Sequence, residues 1–521
     1  VGSACRVRGR RGGRAPDRRG SGTRWAAGAR GVGRLWARAG RAARAVDART
    51  PPDRDRAIDG LRALALTAVV LGHWLLGGLI RDDRGALESA SPLVALGQLA
   101  PLTWVFQLLG LFFLVGGYAS VRSWRRAADR GVSAGGWLRV RLVRLGRPVA
   151  ALALAWLVLV AEAHAVGVPD RTLRTALTLV AQPLWFLAVY AVLTALTPYC
   201  DRAVSRAGAW SAVPLLLCVA GVDALRYGPY AHAVPSAVGL LNVVPGWLFG
   251  YQLGVAWGRG RLGRGAAWSL LVGGVALVAL LVGPGGYPAS MVGVPGAERT
   301  NSHPPSLLVL ALAAAQCGAA VSLRGALARW LRRPLLWAPV ALVNLSAVTV
   351  LCWHQCAPLA FAVPAAWWGE VPGLVDAPDS AGWVPLRCAW LPLFAVVLVV
   401  LVRWARQFER PPRAEAGVAA MAEGGVAHAG AAPVEKCGLV EKCGPAGACG
   451  GPAEVSGSAE GGGPAEASGP GGPAGGGGGA PVARGLATAV GWRRWAAPRP
   501  FARRGAARVR TGRGASPGPP R

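Results

Sequence analysis

Residues 56–74 read RAIDGLRALALTAVVLGHW, and the apolar run they open continues to residue 80 with one Asp, two Arg and one His in it. A helix rises about 1.5 Å per residue, so a run of about 20 residues matches the hydrocarbon core of a bilayer. Taken singly, such a run also fits a buried helix of a soluble protein. The pattern recurs, however, at 94–119, 148–166, 182–198, 210–224, 236–256, 266–284, 306–323, 337–363 and 384–404, between short loops bearing Arg, Gly or Pro. This succession predicts an all-α integral membrane protein with about ten transmembrane helices. The ninth run is long and holds Asn344, Trp353 and His354, which predicts a tilted, kinked or partly cavity-lining helix.

Composition divides the chain into three parts. Residues 1–56 carry sixteen Arg and four Asp without apolar periodicity, and are expected to form a disordered arm. Residues 57–405 form the membrane block. Residues 406–521 are a basic tail rich in Gly, Pro and Ala, too poor in large apolar residues to build a core, and are expected to be disordered. The first apolar run lies more than 50 residues into the chain and is too long for a signal h-region, so it is expected to remain as the first helix.

A net charge of +32, nearly all of it Arg, raises the question of nucleic acid. Its location argues against specific binding, because Arg-rich ends beside a membrane domain suit anionic lipid. With the N-terminus placed in the cytoplasm, the inner loops hold eight, two, three and four Arg, and the outer loops two, two, one, one and none. Positive charge gathers on the cytoplasmic side of membrane proteins, and an even number of crossings returns the C-terminus to that side. The expected location is the plasma membrane, multi-pass, with both termini cytoplasmic.

Of the ten cysteines, Cys200, Cys218, Cys317, Cys352, Cys356 and Cys388 lie in or beside apolar runs, where a free thiol is ordinary. The tail repeats VEKCG at 434–438 and 440–444, which spaces Cys437, Cys443 and Cys449 by six. Without a C-x-x-C pair or nearby His ligands, that triplet reads as a duplicated stretch of tail, and no metal site is expected.

An ionisable group in hydrocarbon is costly and usually faces a cavity or a partner. Asp59 and Arg62 are three apart and can pair on one helical face. Eleven steps of about 100° bring His73 roughly 20° past three full turns from Arg62, so the two share a face roughly 16 Å apart along the axis. In that arrangement the guanidinium can hold a phosphate or carboxylate, and the imidazole can take a proton near neutral pH. The alternatives are equally open at this point: an Arg at a helix end anchors at the interface, and a lone His bonds a neighbouring helix. The stretch RVRLVRLGRP places Arg139, Arg141, Arg144 and Arg147 before the third run, and Arg141 and Arg144 can share a face at the inner surface. That density suits an anionic cytosolic ligand as well as plain topology. Glu162 and His164 lie near the outer end of the third run. His232 and His303 fall in outer loops and His428 in the tail, and none of these three is assigned a role.

Seven segments in order resemble acyltransferase family 3, the integral-membrane acyltransferases, in its actinobacterial form. They are DGLRALALTAVVLGHW (59–74), GLFFLVGGYAS (110–120), RLVRLGRP (141–148), PLWFLAVYAVLTALTP (183–198), WLFGYQLGVAWGRGRL (247–262), NSHPPSLLVLALAAAQ (301–316) and VNLSAVTVLCWH (343–354). The departures are Gly116-Gly117 where the family commonly has Ser-Gly, and Cys352 where Leu is commoner. The resemblance implies transfer of an acyl group from a cytosolic donor, acyl-CoA as co-substrate, to a hydroxyl of a carbohydrate, a lipid-linked sugar or a secondary metabolite, such as O-acylation of a cell-surface polysaccharide. It implies His73 as the catalytic base, Arg62, Arg141 and Arg144 on the donor's phosphates, Asp59 orienting Arg62, and Trp353 and His354 lining the cavity, with no cofactor beyond the co-substrate. Arg62 and His73 would also suit a transporter or exporter of a small anionic or acylated metabolite, although the internal repeats typical of many transporters are not evident.

Overall fold

Asp55 starts the first helix by accepting the Ile58 amide at 3.3 Å, and the helix runs over Arg56–Leu76. Gly77 ends it in an extended conformation, its amide returning to the His73 carbonyl at 3.0 Å. The chain then forms a hairpin of Gly78–Arg81 paired antiparallel with Leu87–Ala90, where the apolar pattern had predicted helix to residue 80. Asp82 makes the turn: its carboxylate accepts the amides of Ala86 and Arg84, and the Ala86 bond is the main reason its pKa sits below the usual carboxylate range.

The computed structural model describes residues 36–409, apart from Tyr230 and Glu298. The tail from 410, with Cys437, Cys443, Cys449 and His428, lies outside the described residues, as does the arm over 1–35. Helix reaches back into the basic arm over residues 36–48. It is tethered to the bundle: Ala43 is buried, Arg56 pairs with Asp47 at 2.7 Å, and the Trp337 indole donates to Thr50 at 2.7 Å.

Ten helical segments among the described residues are long and apolar enough to cross a membrane. They are Arg56–Leu76, Gly97–Ala128, Ala134–Ala165, Asp170–Ala195, Thr197–Tyr227, Ser236–Gly258, Arg264–Val282, Leu307–Trp330, Ala347–Ala365 and Trp383–Gln407. The chain is therefore an all-α, multi-pass membrane protein. Five of these spans join more than one helical piece, and two of those breaks, in the second and the ninth, bear on the site. The second is a 3-10 turn (Gly97–Leu102), a short helix (Thr103–Phe106) and a long helix (Leu109–Ala128). The long ninth run divides into Pro334–Leu345, Ala347–Trp353 and Cys356–Ala365, the kinks falling at Ser346 and at His354-Gln355.

The second and sixth spans pack closely, and glycine makes this possible. Gly246, Gly250, Gly254 and Gly258 recur every fourth residue on the helix Val243–Gly258, a single stripe of small residues. A Cβ at Gly254 would collide with the Leu114 carbonyl oxygen, one at Gly250 would stand 2.8 Å from the Gly110 oxygen, and from the other side one at Gly117 would strike the Tyr251 oxygen. Backbone meets backbone along this seam, so an added methyl has nowhere to go. Gly254→Ala is expected to destabilise the detergent-solubilised protein by about 1–3 kcal/mol, the cost of overpacking. Gly273→Ala, where a Cβ meets nothing within 4 Å, is expected to leave thermal unfolding unchanged. Equal behaviour of the two variants would contradict this packing.

Candidate functional site

His73 sits in the last turn of the first span, and its Nδ1 lies 2.7 Å from Nε2 of His354. The ring centroids are 5.0 Å apart and the planes only 11° from parallel. A centroid spacing so much longer than the N–N distance puts both nitrogens between the centroids, so the rings meet edge to edge, along the hydrogen bond. The other His354 nitrogen, Nδ1, lies 2.8 Å from the Leu351 carbonyl oxygen. A carbonyl only accepts, so His354 Nδ1 carries the hydrogen and its Nε2 is left with a lone pair. His73 must then donate from Nδ1, which leaves His73 Nε2 as the basic nitrogen. That Nε2 bonds no described residue, and His73 is only half-buried, whereas His354 is fully buried. The pair thus presents one directed lone pair to a space that water can reach.

The breaks in the second and ninth spans both come to this point. A Cβ at Gly72 would approach within 3.0 Å of Phe106, where the second span breaks, and His354 itself occupies the break in the ninth. Irregular backbone at membrane depth leaves carbonyls unpaired unless something satisfies them. Gln316 of the eighth span does so in the second, its amide donating to Trp104 O at 3.3 Å and Gln107 O at 3.1 Å. In the ninth, the Trp74 indole donates to His354 O at 2.9 Å. Arg387 closes the assembly. It is 1% exposed, and it donates to Trp74 O (2.7 Å), Gly77 O (2.7 Å) and Gly373 O (3.1 Å), capping the end of the helix that carries His73.

Asp59 and Arg62 lie toward the other end of the first span. They pair at 3.4 Å, although Arg54 binds Asp59 more closely, at 2.5 Å. Arg62 also donates to Asn344 Oδ1 at 3.4 Å, and Asn344 Nδ2 donates to Asp59 O at 2.8 Å, so the kinked ninth-span region meets the first span at both Arg62 and His73. Beside them open two adjoining hollows of about 450 and about 440 Å³ that share Asp55, Arg324 and Ala328. Arg54, Arg56, Arg122 and Arg332 line the second of them. Asp55 accepts from Arg324 at 2.6 Å and from the Tyr118 hydroxyl at 3.2 Å, which leaves the hollows with an excess of positive charge.

Arg141 and Arg144 both lie on the long helix Ala134–Ala165. The Arg141 guanidinium stacks 4.8 Å over the Trp137 ring with its Nε buried and unpaired, and Arg144 is exposed. Trp353 is buried with its ring edge-on to Trp404 at 5.5 Å. His164 pairs with Asp170 at 3.3 Å on the surface. No cluster of three or more His, Cys, Asp or Glu side chains suited to a metal occurs among the described residues.

Several polar residues at the site were not singled out from sequence. Arg387 was legible as a lone charge in the first turn of the tenth run. Asp223, buried near the end of the fifth, carries the same signal, and it accepts from Asn242 (3.0 Å), Tyr287 (3.1 Å) and the Leu307 amide (2.7 Å). His303, given no role from sequence, lies in the loop before Leu307–Trp330 and meets the Trp185 ring at 4.9 Å.

The family model for an acyltransferase domain, that of acyltransferase family 3, matches residues 55–404. Comparison with curated proteins and with solved structures gave no match.

Removing Arg387 would strand three buried carbonyls, each costing about 1–3 kcal/mol. Arg387→Leu is therefore expected to lower the thermal midpoint markedly. Arg387→Lys is expected to recover little of it, because one ammonium cannot reproduce the fork that spans the three acceptors. Full rescue by Lys would contradict the capping role.

Proposed function

Because the chain belongs to acyltransferase family 3, we propose that it transfers an acyl group from cytosolic acyl-CoA to a hydroxyl of a carbohydrate, lipid-linked or secondary-metabolite acceptor, with His73 as general base. The observation that carries this reading is the directed imidazole pair, with its single free nitrogen at His73 Nε2. A base must be within reach of the proton it takes and must hold a lone pair before the reaction. The His354 bond supplies the second condition by fixing the tautomer.

In the proposed reaction, His73 Nε2 removes the proton of the acceptor hydroxyl as its oxygen attacks the thioester carbonyl. The carbon–sulfur bond breaks, the acyl group becomes an ester of the acceptor, and the CoA thiolate leaves and regains a proton from the imidazolium. His354 stabilises that imidazolium by accepting from its Nδ1. The donor enters from the Asp55 end, where Arg62 and the arginine-lined hollows provide charge-assisted hydrogen bonds for its phosphates. Arg141 and Arg144, on the third span, extend the same basic side. Asp59 and Asn344 hold Arg62 in place, and the pantetheine arm covers the distance along the first span to His73. Trp353 supports the wall behind His354. With both termini cytoplasmic in the plasma membrane, this end faces the acyl-CoA pool.

The test is CoA release by the purified protein in nanodiscs, with a panel of sugar acceptors. His73→Ala is expected to reduce release by about a hundredfold to ten-thousandfold, the usual contribution of a positioned base. His354→Ala is expected to give a smaller loss, because the base survives without its fixed tautomer. Release that survives His73→Ala would leave the enzyme class standing and remove His73 from the chemistry. Movement of substrate without CoA release would favour a transporter.

A further inference from the structure

The loop between the seventh and eighth spans mixes exposed residues with buried anchors. Counted by crossings from Asp55, it lies on the side where the first span ends, and Met291, Asn301, Ser302 and Ser306 within it are buried. Its backbone is held from several directions. Asn301 Nδ2 donates to Pro288 O at 2.7 Å and Ser290 O at 2.8 Å, and Ser306 Oγ donates to Asn301 Oδ1 at 2.8 Å. Ser302 Oγ donates to Met291 O and accepts from Gln107 Nε2, the latter at 2.8 Å. Thr300 Oγ1 donates to His303 O at 2.6 Å.

All these bonds fix the backbone around His303, yet the imidazole itself hydrogen-bonds no described residue, and neither does the indole N–H of Trp185 that it meets. His303 is exposed to solvent, while desolvation by its neighbours holds its pKa below the ordinary histidine value. It is thus an accessible imidazole on a firmly held stretch of backbone. That stretch adjoins the His73 site. Phe106 touches Gly72 beside His73, and its neighbour Gln107 holds Ser302 beside His303. A histidine left over on a surface would need neither the rigid support nor the aromatic neighbour.

We propose that His303 and Trp185 form the acceptor subsite, binding an uncharged polyhydroxylated ring of the sugar class: His303 hydrogen-bonds one hydroxyl while Trp185 contacts the apolar face. A neutral imidazole donates and accepts at once, which matches a hydroxyl's own capacities. An aromatic ring with a free N–H matches a molecule that is apolar on its faces and polar at its rim. This inference rests on the reading of the chain as an acyltransferase working at His73.

The experiment combines two readouts on the full chain in nanodiscs, with methyl hexopyranosides as probes. The first is steady-state CoA release for His303→Ala, His303→Gln, Trp185→Ala and Trp185→Phe. Both alanine variants are expected to raise the KM for the sugar by about tenfold, the loss of one such contact, with the KM for acyl-CoA little changed. Gln and Phe, which keep a hydrogen-bonding group and a ring respectively, are expected to recover part of the loss. The second readout is carbethoxylation of His303 by diethyl pyrocarbonate in the wild type, read by mass spectrometry, which the sugar is expected to slow. A fall in kcat with both KM values unchanged would overturn the subsite, as would failure of every sugar to protect His303. Protection without any CoA release would keep the subsite and sink the acyltransferase reading. Release without protection would do the reverse.

Discussion

The hydrogen bond between His73 and His354 is the constraint on which the rest of the site depends. It joins side chains 281 residues apart in the sequence and is terminated by one backbone carbonyl, Leu351 O, which sets the direction of the whole relay. Two imidazoles can share a hydrogen in either sense. The carbonyl removes that freedom, and with it any doubt about which ring nitrogen holds the outward lone pair. The surroundings then serve to keep these two rings at bonding distance: the ninth region kinks so that His354 can turn inward, Trp74 ties the kink back to the first span, and Arg387 caps the helix from which His73 projects.

The bundle divides this work between its ends. At the Asp55 end, guanidinium groups and paired carboxylates make a strongly charged region suited to phosphates. At the His73 end the imidazole pair is bonded to a backbone carbonyl, and the buried Arg387 guanidinium is taken up by the carbonyls of Trp74, Gly77 and Gly373. Between them the second and sixth spans are held backbone to backbone by a stripe of glycines, which fixes the second span while its outer portion breaks at Gln107. The break is stable only because Gln316 satisfies the carbonyls it exposes. Irregular backbone here is thus the means by which the second span and the ninth region come together at His73.

Much of the architecture was legible in the chain. The ten apolar runs correspond one to one with the ten spans, because hydrocarbon imposes a length and an apolar composition that local sequence cannot hide. The kink in the ninth run could be anticipated from Asn344 and His354 inside it. The placement of Arg62 and His73 on one face followed from helical periodicity alone. The pairing of His73 with His354 was not legible, since each was visible as an isolated polar residue and nothing local says which of ten helices lies alongside which. Arg387 and Asp223 were passed over because they sit near the ends of their runs, where charge usually means topology. His303 lies in a loop between two spans, as read, but the anchoring of that loop was not legible, because it rests on hydrogen bonds that Asn301 and Ser302 make with residues elsewhere in the chain, Gln107 among them. The glycine stripe from Gly246 to Gly258 stands openly in the sequence, but the backbone it packs against does not.

The central claim is a statement about protons, and magnetic resonance on the reconstituted protein, with its histidine nitrogens isotopically labelled, tests it directly. The account predicts neutral rings at neutral pH, with the hydrogen of His73 on Nδ1, that of His354 on Nδ1, and a scalar coupling across the bond from His73 Nδ1 to His354 Nε2. His73 protonated on Nε2, or a pair with no coupling between these nitrogens, would contradict it.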